Sequence, residues 1–166
     1  QRNNLLKQIR FQNNLIDTLE AWDIQLVKYG SEVIKYREKF IKHLGEVCQK
    51  IHNKLTGGKE KILLEYDRDV GYDSYLTELA KKRQKDLKYS TTTVGPHRDD
   101  ISFIVNGIDI RKYGSQGQQR TAALSLKLAQ IQLMREVMKE SPILLLDDVL
   151  SELDSNRKTY LLESIK

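Results

Sequence analysis

Three short segments in the second half of the 166-residue chain contain residue types that suit nucleotide chemistry. The first is the loop 113–120, in which Gly114, Ser115 and Gly117 precede a helical pattern. A glycine-containing loop at the start of a helix presents backbone N–H groups and the positive end of the helix dipole to a phosphate. Ser115 adds a hydroxyl donor. Taken alone, the same loop is more typical of an ordinary helix cap.

The second segment is the apolar run 143–146, which is followed by Asp147 and Asp148. Such a run is typical of a strand buried on both faces, and acids after it would lie at the sheet edge where α/β proteins bind ligands. Asp147 suits a Mg²⁺ site through bound water, and Asp148 could orient or deprotonate an attacking water. The alternative is a solvated pair of acids in a turn.

The third segment, residues 151–154, reads Ser-Glu-Leu-Asp and is by itself an ordinary helix-capping sequence. Asp154 or Ser155 would begin a final amphipathic helix.

Apolar residues in 118–139 cover most of a helix circumference, which predicts a helix buried in something larger. Further upstream, apolar residues flank Asn106-Gly107, a strong hairpin signal because both turn positions need φ > 0.

The first half has the spacing of long amphipathic helices. Apolar residues recur three and four positions apart between Leu15 and Leu55, which predicts one or two long helices. Gly30-Ser31 could mark a break, with Ser31 as an N-cap. Gly57-Gly58 predicts a helix end, because glycine readily adopts the left-handed conformation found there.

The remainder of the first half predicts one strand and one helix. Charged and apolar residues alternate in 59–66, which indicates a short strand. Helical spacing returns in 72–87, with Asp73 or Ser74 as the N-cap.

The composition excludes several classes of protein. No apolar run is long enough for a transmembrane helix, and no signal-peptide pattern begins the chain. The single cysteine, Cys48, excludes an internal disulfide framework and indicates a reducing compartment, so we expect the protein in the cytoplasm. On the apolar stripe, Cys48 is more typical of a core residue than of a nucleophile.

The positive charge of the chain is unevenly distributed. The 28 basic and 23 acidic side chains give a net charge of +5. Residues 1–90 hold 18 basic and 13 acidic side chains, a balance of 18 − 13 = +5, whereas residues 91–166 hold 10 of each. The two halves are therefore expected to differ in role.

In combination, the three segments are far more specific than any one of them. The chain has, in order, the Ser-Gln-Gly-Gln-Gln-Arg loop, a helix, an apolar strand ending in two acids, and Ser-Glu-Leu-Asp. This order resembles that of the ATP-binding-cassette (ABC) ATPases. In that family these are the signature motif, the Walker B strand and the D-loop. Residues 91–100, Thr-Thr-Thr-Val-Gly-Pro-His-Arg-Asp-Asp, narrow the resemblance to the RecF family of bacterial recombination mediators. The resemblance is strong over 91–166 and looser over the helical first half.

The resemblance implies a role for each motif residue. Four loop residues would bind ATP: Ser115, Gln116, Gly117 and Gln118. Of these, Ser115 and Gly117 would contact the γ-phosphate of a nucleotide held by the other subunit of a dimer. Asp147 would be the Mg²⁺-associated acid, and Asp148 would stand in the position of the catalytic glutamate. Two residues of the D-loop, Ser151 and Asp154, would line the dimer interface near that nucleotide.

The resemblance also implies a fold and a set of partners. We expect an α/β fold in 90–166, the C-terminal half of an ABC-type ATPase head with a P-loop NTPase-like sheet and flanking helices. Residues 1–89 would form a mainly helical second domain, with the boundary near Ser90. Proteins of this family form ATP-dependent dimers on DNA at junctions of single and double strands, and with RecO and RecR they help to load RecA.

One departure from the family matters for activity. The chain contains no Gly-x-x-x-x-Gly-Lys-Ser/Thr loop, and its nearest candidate, Gly57-Gly58-Lys59, lacks the first glycine and the hydroxyl. Without that loop there is no cradle for the α- and β-phosphates. The resemblance places the loop upstream of these residues, so we expect the chain to be part of a longer, weakly active ATPase. The isolated chain is expected to show no ATP turnover.

The densest basic run suits DNA contact. It comprises Lys81, Lys82, Arg83, Lys85 and Lys88, offset only by Asp86. Lysine and arginine supply sequence-independent affinity by releasing counterions from phosphates, although a solvated helix face would have the same composition. The family resemblance favours DNA.

The histidines are weaker candidates. His97 lies beside Arg98, Asp99 and Asp100, in a cluster too tight for a tetrahedral metal site. That cluster would form a structural ion-pair network or contact DNA or nucleotide. His43 and His52 are predicted to be surface residues of charged helices.

Two rival functions remain open from sequence. The chain could belong to an SMC-like or Rad50-like ATPase head, which long continuous heptads would indicate, or it could be a non-enzymatic module that binds a partner such as RecR. Gly30 and Gly57-Gly58 argue against long heptads.

Overall fold

Helices dominate the part of the chain that the structure describes. The computed structural model describes residues 1–139, 142–145 and 155–164. In chain order its elements are α1 (Arg2–Ile9), α2 (Leu19–Leu55), β1 (Ile62–Asp67), α3 (Tyr75–Tyr89), β2 (Asp100–Val105), β3 (Ile108–Asp109), α4 (Ile110–Tyr113), α5 (Gln116–Met138) and α6 (Ser155–Ser164). Short 3-10 helices cover Asn13–Thr18 and Pro96–Arg98.

The long helix α2 runs without interruption for 37 residues, so the predicted break at Gly30-Ser31 is wrong. Gly30 is needed for packing instead, since a Cβ atom there would lie 2.6 Å from Cε1 of Tyr75. The helix ends at Leu55, and Gly57 and Gly58 follow with φ of 60° and 78°. Glycine adopts this left-handed region without strain, and the predicted helix end is confirmed.

Three strands form a small sheet in the order β1-β2-β3. The strands β2 and β3 are antiparallel, with Val105 opposite Ile108. Asn106 and Gly107 join them with φ of 49° and 83°, as a two-residue type I′ turn requires. The predicted hairpin and the predicted strand in 59–66 are both confirmed.

The predicted central strand 143–146 is not formed in its described part. Residues 142–145 have no regular secondary structure, and the side chains of Ile143 and Leu145 are 91% and 89% exposed. A strand is stable only when a neighbour accepts and donates its ladder hydrogen bonds. Within the described ranges no strand pairs with this segment, so its apolar composition alone does not make it a strand. Leu146 lies outside the described residues.

The chain divides into two compact units, each built from two segments of sequence. The first unit comprises Gln1–Lys39 with Tyr66–Ile101, and the second comprises Phe40–Glu65 with Ser102–Lys166. The domain boundary predicted near Ser90 stays a prediction.

A buried ionic network holds the first unit together alongside its apolar clusters. Arg2 donates from Nε to Asp23 at 2.7 Å and from Nη1 to Asp86 at 2.8 Å, while Arg83 donates from Nη2 to Asp23 at 2.8 Å. Asp86 also accepts from the backbone N–H of Thr93 at 2.8 Å. Buried charges are tolerated only when they are paired and hydrogen-bonded in this way.

In the second unit most of the apolar stripe of α2 is buried, and Cys48 and His52 lie on it. Cys48 is fully buried, and burial raises the pKa of its thiol to about 12. The prediction that it is a core residue is confirmed. His52 is also fully buried, so its predicted surface position is wrong, whereas His43 is exposed as predicted.

Among the described helices, none combines the length and apolarity that a membrane crossing needs.

Candidate nucleotide-binding site

Residues 114–118, called the signature loop below, comprise the two residues between α4 and α5 and the first three residues of α5. Gly114 is required by its surroundings, because a Cβ atom there would lie 2.6 Å from the carbonyl oxygen of Ile110 and 2.8 Å from its Cα. Its backbone N–H donates to the same carbonyl at 3.1 Å. Gln119 donates from Nε2 to that oxygen at 2.8 Å. These contacts fix the point at which the chain enters α5.

Ser115 and Gln118 form a capping box at the N-terminus of α5. The Ser115 Oγ accepts from the backbone N–H of Gln118 at 3.2 Å, and the Gln118 Oε1 accepts from the backbone N–H of Ser115 at 3.1 Å. The box satisfies two N–H groups that a helix start otherwise leaves without intrahelical partners. The sequence indicated a cap here, and the structure shows the reciprocal form.

The exposed side of the signature loop is suited to an anion. Ser115, Gln116 and Gly117 are exposed at the positive end of a 23-residue helix. Since the Ser115 Oγ acts as an acceptor within the box, its hydroxyl proton can be donated outwards. A Cβ atom on Gly117 would meet only the Ser115 Oγ, at 3.9 Å, so the packing of this chain does not demand a glycine there. An incoming group can approach the backbone at that position.

A chain of hydrogen bonds leads away from the loop, partly buried at Glu60 and fully buried between His52 and Ser125. Gln118 donates from Nε2 to Glu60 Oε1 at 3.2 Å, and Glu60 Oε2 lies 3.2 Å from Nε2 of His52. The Nδ1 of His52 lies 2.9 Å from the Oγ of Ser125 in α5. We call Gln118, Glu60, His52 and Ser125 the polar relay. Sequence reasoning missed it, although His52 falls four residues after Cys48 on the apolar stripe, which was the available signal.

The hydrogen-bond partners define the proton positions on His52. A carboxylate only accepts, so Nε2 carries a proton and donates to Glu60. Burial lowers the pKa of His52 below its usual value of 6.5, and the Glu60 carboxylate acts in the opposite direction. In the neutral ring Nδ1 then accepts from the Ser125 hydroxyl. The carbonyl of Thr121, 2.8 Å from the Ser125 Oγ, competes for the same proton.

The remaining motif residues cannot be placed. Asp147, Asp148, Ser151 and Asp154 lie outside the described residues, so their predicted roles stay predictions. Within the described ranges, no group of three or more His, Cys, Asp or Glu side chains could hold a metal ion.

The loop around His97 is organised by Asp99. One carboxylate oxygen, Oδ2, accepts from Arg37 Nη1 at 3.0 Å and from the Tyr66 hydroxyl, and Oδ1 accepts from the backbone N–H of Asp69 at 3.0 Å. Burial and the bond to Asp99 raise the pKa of Tyr66 to about 12. The Nε2 of His97 lies 3.0 Å from the carbonyl oxygen of Thr92, to which it donates. Asp99 therefore forms a structural network, one of the two roles predicted for this cluster.

The predicted DNA-binding residues divide into two faces of α3. Four lysines lie on its exposed side: Lys81, Lys82, Lys85 and Lys88. Lys81 is paired with Glu78 at 2.7 Å, and Lys88 lies 5.6 Å from the ring centroid of Tyr89. Arg83 is on the packed side, where its guanidinium is bound to the buried Asp23. The structure therefore groups the lysines and separates Arg83 from them.

Comparison with known proteins gives a consistent family. No family model matches the chain. The chain is similar to proteins named DNA replication and repair protein RecF, with 56% identity to the one from Agathobacter rectalis and 55% to the one from Lachnoclostridium phytofermentans, each over 99% of this chain. The Acetivibrio thermocellus protein of the same name is 44% identical over 100% of this chain. The chain spans 46–48% of the length of these relatives.

Solved structures agree. The recombination mediator protein RecF with ATP, of the RecFOR pathway, matches with a TM-score of 0.88 and 40% identity over 99% of this chain and 46% of that chain. The corresponding RecF-ATPrS structure matches with a TM-score of 0.86 and 39% identity. The predicted fold class, part of an ABC-type ATPase with a helical portion, is confirmed. Over its whole length, this chain is therefore a homologue of the RecF proteins.

Proposed function

We propose that the protein is an ATP-dependent DNA-binding protein of recombinational gap repair. The observation that carries the proposal is the capping box of the signature loop, which presents Ser115, Gln116 and Gly117 outwards at the positive end of α5. Helix starts of this kind bind phosphates. The fold of the chain also matches 46% of a RecF protein solved with ATP.

In this proposal the loop binds a nucleotide held by a second subunit. The Ser115 hydroxyl and the N–H groups at the start of α5 donate to the γ-phosphate, and Gln116 and Gln118 flank it. Gly117 permits the close approach of the phosphate, because no side chain covers its backbone. ATP then joins the two subunits, since each nucleotide contacts both. Ser151 and Asp154 complete the interface.

The two acids after the apolar run supply the hydrolytic part of the site. Carboxylate oxygens are the donors that Mg²⁺ prefers in proteins, so Asp147 has the chemistry to hold the ion that accompanies ATP. When bound, that ion would neutralise phosphate charge. Asp148 would orient and deprotonate the attacking water. Slow hydrolysis would release the dimer.

The exposed lysines of α3 supply the proposed DNA contact. Lys81, Lys82, Lys85 and Lys88 share the solvent side of one helix, where phosphate contacts give affinity without sequence preference. By its homology to the RecF proteins, the protein would act in the cytoplasm at junctions of single- and double-stranded DNA. It would help to load RecA together with RecO and RecR.

The variant Ser115→Arg tests the nucleotide interface in the full-length protein. The long cation would fill the space for the phosphate and remove the hydroxyl donor. We expect ATP-dependent dimerisation to be abolished while the monomer still binds ATP, as measured by light scattering and nucleotide titration. Ser74→Arg, the same change at the N-cap of α3, should leave dimerisation intact. Normal dimerisation of Ser115→Arg would contradict the proposal.

A further inference from the structure

The polar relay connects the exposed signature loop to the interior of the second unit. At one end is Gln118, whose Oε1 takes part in the capping box. Further along is His52, which is fully buried in α2, and the relay ends at Ser125 of α5. Glu60, which lies just before β1, binds both of them, at 3.2 Å each. Its side chain is 20% exposed, so most of it is shielded from water.

We infer that Glu60 is a positioning residue that sets the orientation of the Gln118 amide and thereby holds the signature loop in its phosphate-binding form. This inference rests on the proposed function of the loop. Glu60 itself does not contact the exposed side that would receive the nucleotide. It acts through Gln118, and His52 in turn orients Glu60.

The effect of Glu60 on the orientation of Gln118 follows from the chemistry of the amide group. An amide side chain has one end that accepts and one that donates, and the two ends are nearly equal in shape. The capping box needs the accepting end, Oε1, to face the backbone N–H of Ser115. Because the Glu60 carboxylate can only accept, it selects the orientation in which Nε2 faces Glu60 and Oε1 faces Ser115. Without Glu60, both orientations are available and the box is formed only part of the time.

The buried end of the relay makes this selection rigid. The proton on His52 Nε2 points at Glu60 Oε2, and the ring is held on its other side by Ser125 at 2.9 Å. A carboxylate with one oxygen fixed in this way has little rotational freedom for the other. Groups that orient a site's side chains are commonly supported by such an outer layer of hydrogen bonds.

Two variants of Glu60 separate position from charge. Glu60→Ala removes the acceptor, and we expect about ten-fold weaker ATP-dependent dimerisation, the scale of one hydrogen bond to a charged group. Glu60→Gln keeps the geometry, because its oxygen accepts from Gln118 and its NH₂ donates to His52 in the other tautomer. We expect Glu60→Gln to dimerise within about three-fold of the parent. Glu65→Ala, an exposed acid of β1, is the matched control and should have no effect.

Together with dimerisation, the ATP affinity of the monomer and hydrogen exchange at Ser115 decide the outcome. Monomer affinity for ATP should be the same in all variants. Among Glu60→Ala, Glu60→Gln and Glu65→Ala, hydrogen exchange at the Ser115 amide should be faster in Glu60→Ala only, since that amide is then without a fixed Gln118 acceptor. If Glu60→Ala dimerises and exchanges its Ser115 amide as the parent does, the inference is overturned. If the parent itself does not dimerise with ATP, the proposed function fails, while the exchange measurement still decides the positioning role.

A second variant covers the case in which Glu60→Ala does not fold. Gln118→Glu retains the capping oxygen but sets a carboxylate against Glu60, so dimerisation should weaken and Ser115 exchange should rise. Adding Glu60→Gln restores a donor between the two side chains and should reverse both changes. Failure of that rescue would overturn the inference.

Discussion

At the residue scale, the two glycines of the signature loop serve different purposes. Gly114 is fixed by the fold, because any Cβ atom would collide with the backbone of Ile110. Gly117 has open space where its side chain would be, and its Cβ would meet only Ser115 at 3.9 Å. The sequence placed both in a phosphate-type loop without distinguishing them, since only packing separates a steric need from an accessible surface.

The buried His52 predicts a pH dependence of stability. Burial lowers its pKa in the folded protein below the usual 6.5, so the unfolded chain binds a proton more readily just below that pH. The contribution of His52 to the free energy of unfolding should therefore be complete well above pH 6.5. It should fall as the pH drops below that value, with a slope of at most about 1.4 kcal/mol per pH unit for one proton. Urea unfolding between about pH 7.5 and about pH 5 measures this.

A pair of matched substitutions isolates this effect. His52→Gln should remove this part of the pH dependence, whereas His43→Gln, at an exposed position of the same helix, should not. A parent protein that becomes more stable on acidification would show that the Glu60 carboxylate outweighs burial and that His52 is charged in the folded state.

At the element scale, local chemistry was a good guide and long-range pairing was not. Gly57-Gly58 and Asn106-Gly107 defined a helix end and a hairpin because their backbone conformations are decided within a few residues. The strand predicted in 143–146 depended on neighbours that the segment itself cannot specify. The ionic network likewise joins Arg2 to Asp86 over 84 positions, and no periodicity reveals such a pair.

Asp86 of α3 should be highly sensitive to substitution. Asp86→Ala would leave the buried guanidinium of Arg2 and the N–H of Thr93 without this acceptor. Breaking a buried pair in this way costs about 3–5 kcal/mol of unfolding free energy, which denaturant titration can measure. Glu78→Ala, which removes a surface partner of Lys81 from the same helix, is the control and should change stability little. A small effect of Asp86→Ala would show that water replaces the missing carboxylate.

At the scale of the whole molecule, the uneven charge found in the sequence has a structural location. The exposed lysines of α3 contribute to the excess positive charge of residues 1–90, whereas Arg83 is committed to a buried carboxylate. The sequence could define the basic run but not this division, because helix periodicity identifies a face only once its packing partner is known.

Charge reversal in the full-length protein tests the exposed lysines of α3. Changing Lys81, Lys82 and Lys85 to Glu should weaken DNA binding and reduce its salt dependence, by about 0.9 in the slope of log K against log salt for each lysine–phosphate pair that the substitutions remove. The measurement is a DNA titration at two salt concentrations. The same reversal at Lys39, Lys42 and Lys50 of α2, also exposed, controls for net charge. Equal weakening in both variants would contradict a local DNA contact.

The burial of Cys48 has a practical consequence for labelling. It is the single cysteine of the chain, it is fully buried, and burial raises the pKa of its thiol to about 12. Maleimides and similar reagents attack the thiolate, so Cys48 will react very slowly in the folded protein. A cysteine introduced at an exposed position such as Lys85 can therefore carry a fluorophore or spin label selectively, without removing the native thiol.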